Sequence, residues 1–186
     1  MKMVRVLFVA LCGLAATACV NMTLPVPQPT MQTLQIMRGS DLAPMKVGKF
    51  TAAPGLKGGD SSVTIRSVVL AAPDGSLATY LQKQVEADLR AAGKLDPESS
   101  LELDGELTQS DANSMNAGNA VLAAKFVLHK ADAAVFEKEI SVDAQWDTSF
   151  VGAVAIPEAM NQYTALYDKL VAKLMSDPGF ISAARR

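Results

Sequence analysis

Between Leu101 and Trp146 apolar and polar residues alternate through three successive stretches. That period of two restricts the chain to folds built on a half-buried sheet, with one apolar and one solvated face. In "LELDGELT" (101–108), Leu101, Leu103 and Leu107 point one way and Glu102, Asp104 and Glu106 the other. "AVLAAKFVLHK" (120–130) sets Leu122, Ala124, Phe126 and Leu128 on one face, and "VFEKEISVDAQW" (135–146) does the same with Ile140, Val142, Ala144 and Trp146. "ADAA" (131–134) is short enough to close the last two into a hairpin, and "QSDANSMNAGN" (109–119) reads as a longer polar loop between the first two.

Two helices flank these strands. Leu77, Leu81, Val85, Leu89 and Ala92 form one stripe, with Ser76 or Asp74 as the cap and Gly93 just past the end. Apolar residues from Ala159 to Leu174 recur at spacings of three and four, with Pro157 suited to the first helical position and Asp177-Pro178 as the stop. Upstream, "APMKVGKFTAA" (43–53) carries a weak strand pattern, "APGLKGGDSS" is a loop, and "VTIRSVVL" (63–70) reads as one strand with Val63, Ile65 and Val69 on one face. The order strand(s), helix, three strands, helix predicts an α+β domain over residues 36–180. The expected form is a two-layer sandwich, a mostly antiparallel sheet of about four to five strands with both helices on one face. Residues 181–186 are expected to be a tail. No internal repeat is present.

The N-terminus says where such a domain works. Lys2 and Arg5, the apolar run "VLFVALCGLAA" and the small residues of "ATAC" make the three parts of a signal peptide over residues 1–18. "LAATAC" resembles the lipobox of bacterial lipoproteins, with Ala16 where Leu is commoner. The resemblance implies cleavage between Ala18 and Cys19, and acylation of Cys19 with palmitate-type chains. Val20 in place of Asp after that cysteine implies the outer membrane, periplasmic face. Cys12 leaves with the signal, so the mature domain has no disulfide and is held by packing alone. Pro25, Pro27 and Pro29 suggest that residues 19–35 form a stiff polyproline tether.

Composition limits the chemistry. The chain is 49% hydrophobic, 19% charged and 5% aromatic, which is globular, with a core built mainly of Ala, Val, Leu, Ile and Met. Its net charge of −2 becomes more negative once Lys2 and Arg5 are removed, which argues against nucleic acid. His129 is the lone histidine, read as a strand-end surface residue, and no Gly-x-Ser-x-Gly occurs. "DGE" (104–106) and "SDANSMN" (110–116) lack the spaced ligands of a metal site, and no phosphate loop is present. No catalytic residue, metal or cofactor is expected. Two features remain as possible partner contacts: the apolar segment "FVGAVAI" with Phe150, Val151, Val154 and Ile156, and the polar loop with Asn113, Met115 and Asn116.

Signal, lipobox, tether and element order resemble small periplasmic lipoproteins of envelope transport. One such family is the lipopolysaccharide-assembly lipoprotein that plugs an outer-membrane translocon, and another is the auxiliary lipoprotein of ABC-type lipid transport. "SLATYLQKQVEADLRAAGKL" (76–95) is the stretch most like them. The resemblance implies a non-enzymatic protein, tied to the membrane by its lipid and to an envelope protein partner. Two other functions stay open. One is a glycan- or lipid-binding or modifying lipoprotein, with a pocket on the sheet gathering Arg66, Glu102 and Asp104. The other is a structural subunit of an envelope complex.

Overall fold

The computed structural model describes residues 20–115, 117–131 and 133–185. The signal peptide, Ala18, Cys19 and Asn116 therefore lie outside the described residues. The fold is α+β, as expected, but its strands form two sheets. In chain order the elements are β1 (Val20–Thr23), α1 (Met31–Gly39), β2 (Lys46–Ala52), β3 (Ser62–Ile65), β4 (Val68–Ala71), α2 (Leu77–Ala91), β5 (Leu101–Asn113), β6 (Gly118–Lys130), β7 (Ala133–Trp146), α3 (Gly152–Met175) and α4 (Pro178–Ala183).

The larger sheet has the order β2-β5-β6-β7. β5, β6 and β7 form an antiparallel meander, and β2 adds to it in parallel, pairing Phe50 with Gly105. The alternation read in the sequence is the pleat of this sheet. Leu103, Leu107, Leu122, Phe126 and Leu128 are fully buried on the inner face, while Glu102, Asp104 and Glu106 stay partly exposed on the other. α2 packs on the β2–β5 half of that inner face and α3 on the β6–β7 half, so both helices share one face as expected. Tyr163, Leu166, Tyr167, Leu170 and Leu174 of α3 have no exposure, nor do Leu77, Leu81, Val85 and Leu89 of α2. Ser76 is the cap of α2: its Oγ accepts from the Thr79 N–H at 3.0 Å. Asp60 adds a second acceptor, its Oδ1 taking the Ala78 N–H at 2.9 Å.

"VTIRSVVL" is not one strand. It folds back on itself as the β3–β4 hairpin, with Ile65 opposite Val68 and only Arg66 and Ser67 in the turn. Arg66 takes a positive φ of 55°, a region that residues with a side chain occupy at a cost of about 1–2 kcal/mol. β1 then pairs in parallel with β4, completing a three-stranded sheet of order β1-β4-β3.

The Pro-rich segment is not a free tether. Tyr80, Gln84 and Asp88, spaced four apart on one face of α2, hold it along the helix. The Tyr80 hydroxyl donates to the Pro25 carbonyl at 2.8 Å and Gln84 Nε2 to the Gln28 carbonyl at 3.1 Å, while Asp88 draws on the Thr30 backbone N–H. Thr30 then caps α1, its Oγ1 accepting from the Thr33 N–H at 3.2 Å, and α1 lies across α2 and α3. A proline-rich strip donates few N–H groups, so it is held through its carbonyls. Residues 20–35 thus belong to the fold, which was expected to begin at 36.

The chain's other end is also ordered. α4 buries Phe180 edge-on against Phe136, ring centroids 5.4 Å apart. Ala184 is buried and Arg185 bridges to Leu42, so residues 181–185 belong to the domain and not to a tail. Among the described residues no helix is long and apolar enough to cross a membrane, and no group of three potential metal ligands occurs.

Candidate functional site

The two segments singled out as possible contacts meet at one end of the molecule. The expected long polar loop 109–119 is mostly strand: β5 runs on to Asn113 and β6 resumes at Gly118, leaving a tight turn with Met115 at its tip. "FVGAVAI" is not a loop either. α3 begins at Gly152, before Pro157, which lies inside the helix on its exposed side. Phe150 and Val151 precede the first turn and Val154 lies within it. Ala155 is the residue of this segment that turns inward, with Ile156 half-buried.

Four large apolar side chains are consequently left in solvent at this end. Phe150 is 101% exposed, Met115 65%, and Val151 and Val154 60% each. Asn113 is exposed too, its Oδ1 accepting from the Met115 N–H at 2.9 Å and so bracing the turn. Phe150, Met115, Arg66 and Ser67 line an open groove of about 460 Å³.

Arg66 ties this end together. Its Nε donates to the Ser114 carbonyl at 2.8 Å, and its Nη2 to Thr148 Oγ1 at 3.1 Å and to the Ser149 carbonyl at 2.6 Å. One planar guanidinium therefore joins the β3–β4 turn, the β5–β6 turn and the β7–α3 connection. Those bonds offset the strained backbone at Arg66. The Arg66→Ala variant keeps the strain and loses three donors, so a loss of about 2 kcal/mol is expected in urea denaturation. Arg66→Gly loses the same donors without the φ penalty, and its loss should be smaller by about 1 kcal/mol. Equal losses would show that the turn is not strained.

Arg66, Glu102 and Asp104 do not converge on a pocket. Ser114, which Arg66 holds, is ten residues along the chain from Asp104, roughly 30 Å at strand spacing. Glu102 instead pairs with Lys46 at 2.8 Å. Asp104 Oδ1 accepts from the Lys49 N–H at 2.7 Å, and its Oδ2 lies 3.3 Å from His129 Nε2. All sit on the open face of the large sheet, where His129 is a part-exposed strand-end residue.

A second cluster was not read from the sequence. Asp88 and Asp168 lie beneath α1, and burial pushes both carboxyls up to about 6. For Asp88 the Gln84 amide and the Thr30 N–H pull the other way without winning. For Asp168 the neighbouring Asp88 charge adds to the rise. Oδ1 of each is buried without a hydrogen-bond partner. Above Asp168 a shallow groove of about 410 Å³ separates α1 from α3. The three tyrosines are also buried: Ser110 Oγ is 2.6 Å from Tyr163 Oη, which is 3.0 Å from Tyr167 Oη, and burial raises all three phenols. This is a packed core network, with Tyr163 and Tyr167 fully buried and Tyr80 nearly so.

No protein-family model matches the chain, and no curated protein matches it. Solved structures do. A Xanthomonas campestris protein of the DUF330 family superposes with a TM-score of 0.57 at 14% identity, over 84% of this chain and 95% of that one. An uncharacterised protein follows at a TM-score of 0.51 and 10% identity, over 84% and 97%. At such identities the likeness is one of fold.

Proposed function

We propose that this chain is a lipid-anchored protein of the bacterial cell envelope, held at the periplasmic face of the outer membrane by an acylated Cys19. It contributes to envelope biogenesis or transport through contacts with protein or lipid and carries out no reaction of its own. The observation that carries this reading is "LAATAC" at the end of a positively started apolar run. A multiply acylated cysteine anchors stably, at about 0.8 kcal/mol per buried methylene. The lack of convergence among Arg66, Glu102 and Asp104 disfavours the pocket-based glycan reading.

The test is metabolic labelling with radioactive palmitate, followed by density separation of membranes. The wild-type chain is expected to carry label and to fractionate with the outer membrane. Cys19→Ser should lose the label and appear in the soluble fraction. An unlabelled wild-type chain cleaved after Ala18 and recovered as soluble protein would overturn the reading. Crosslinking in intact envelopes then separates an envelope partner from contact with lipid alone.

A further inference from the structure

The tip formed by Met115, Phe150, Val151 and Val154 lies beside the place where the lipidated N-terminus enters the fold. β1 runs parallel to β4 with Val20 paired to Val68, and Val68 directly follows the Arg66-Ser67 turn. Neighbouring strands lie about 4.8 Å apart and successive Cα atoms 3.8 Å. Val20 is thus about 9 Å from Ser67 along the path from strand to strand, and Ser67 shares a groove with Met115 and Phe150. The docked Pro-rich segment runs away from this end and supplies no spacer between anchor and domain.

From this juxtaposition we propose that the tip is a membrane-contact surface, which enters the interface of the bilayer that holds the Cys19 acyl chains and fixes the domain's orientation on it. The proposal rests on the lipidation of Cys19. Several observations favour a bilayer as the occupant. Four of the seven large apolar side chains exposed among the described residues are at this end. Phe150 protrudes fully into solvent, which suits insertion among lipids better than the filling of a partner's pocket. From Thr148 to Pro157, and from Ser114 to Gly118, the sequence has no charged residue, and Arg66, the charged side chain of the groove, has three N–H groups already bonded to Ser114, Thr148 and Ser149. Arg66 fixes both apolar segments to the turn next to the anchor, so they face the same side.

The experiment uses the mature lipidated chain, in which the acylated Cys19 leaves no free thiol. Phe150→Cys is labelled with an environment-sensitive fluorophore and reconstituted in vesicles of phosphatidylethanolamine and phosphatidylglycerol. Val135→Cys is the reference, exposed near the start of β7, eleven residues and about 35 Å along the strand from Trp146. Spin-labelled lipids are expected to quench the fluorophore at 150 at least twofold and to leave the one at 135 unchanged, with soluble iodide giving the reverse. In a Val151→Asp, Val154→Asp background the lipid quenching at 150 should disappear while the protein still floats with the vesicles. Equal iodide quenching at both sites on floating protein overturns the proposal and leaves the anchor intact. Protection at 150 from both quenchers would place another protein or a second copy there and overturn it as well. A chain that does not float with the vesicles fails on the anchor itself.

Discussion

Gly105→Val is expected to unfold the domain at ordinary temperature, and Gly105→Ala to cost about 3 kcal/mol or more in urea denaturation. A Cβ at Gly105 would lie 2.4 Å from Phe50 Cε1, 2.5 Å from Cδ1 and 3.0 Å from Cζ. The ring has no retreat. Phe50 is buried, packs at 6.4 Å edge-on against Phe126, and sits opposite Gly105 in the parallel β2–β5 register. Overpacking by one methyl usually costs about 1–3 kcal/mol, and two methyls more add strain to the pairing of an edge strand. The pair should be strongly coupled. Phe50→Leu alone loses packing worth about 1–2 kcal/mol, yet in the Gly105→Ala background it should restore stability by making room. A double-mutant cycle with additive costs would show that the contact is not the cause.

Gly105 also shows what could be read and what was missed. In "LELDGELT" the inward positions are Leu101, Leu103, Gly105 and Leu107, and a glycine at an inward strand position signals close approach by another group. Its neighbours Asp104 and Glu106 drew attention to the solvated face instead. The long strands and the two main helices were legible because each carries an unbroken apolar period. The extension of β5 and β6 past residue 108 was not, because its inward group is polar. Ser110 faces the Tyr163 hydroxyl, so the strand continues without a hydrophobic signal. The hairpin at Arg66-Ser67 was not legible because it lacks the Gly, Asn or Asp that two-residue hairpin turns favour. Arg66 is held there by carbonyls about 50 and 80 residues away in the chain. The docking of the N-terminal segment is illegible in the sequence for the same kind of reason. Its attachment to Tyr80, Gln84 and Asp88 involves backbone carbonyls, to which composition is blind. Pro157 drew the expected start of α3 too late. In the exposed first turns its missing N–H frees only the carbonyl of solvent-facing Ala153, so the helix tolerates it. For the candidate surface, the residue types were visible in "FVGAVAI" and at Met115. Their convergence beside β1 was not, since it depends on the β1–β4 pairing.

The melting temperature should rise, not fall, as pH is lowered from about 7.5 to 5.5. Asp88 and Asp168 have carboxyls pushed up to about 6 in the folded state, above the ordinary carboxylate value they regain on unfolding. Between those values the folded chain binds more protons than the unfolded one, so stability decreases as pH rises through about 6 and is lowest above it. For Asp88, which is fully buried, the whole shift of about two pKa units corresponds to about 2–3 kcal/mol, of which about 1 kcal/mol is gained between pH 7.5 and 5.5 and the rest on the way to pH 4. Asp168 is part-exposed and lines its groove with Lys169 and Lys173, so its share is smaller. In a domain of this size about 1 kcal/mol amounts to a shift of about 2–4 °C. Asp88→Asn keeps an acceptor for Gln84 or Thr30 without the buried charge. It should raise the melting temperature at pH 7.5 by about 5 °C and flatten most of the pH dependence. Asp168→Asn should also raise it, by removing the charge that Asp88 faces. Acid below about 4 works in the opposite direction, because Asp177, held below the usual carboxylate range by Lys138 and by the Gly179 and Phe180 N–H groups, then loses its pairing. The stability maximum therefore belongs between about 4 and 6. A melting temperature that climbs from pH 5.5 to 7.5, or an Asp88→Asn variant less stable than the parent at pH 7.5, would show that the two carboxylates are better compensated beneath α1 than their unpaired Oδ1 atoms indicate.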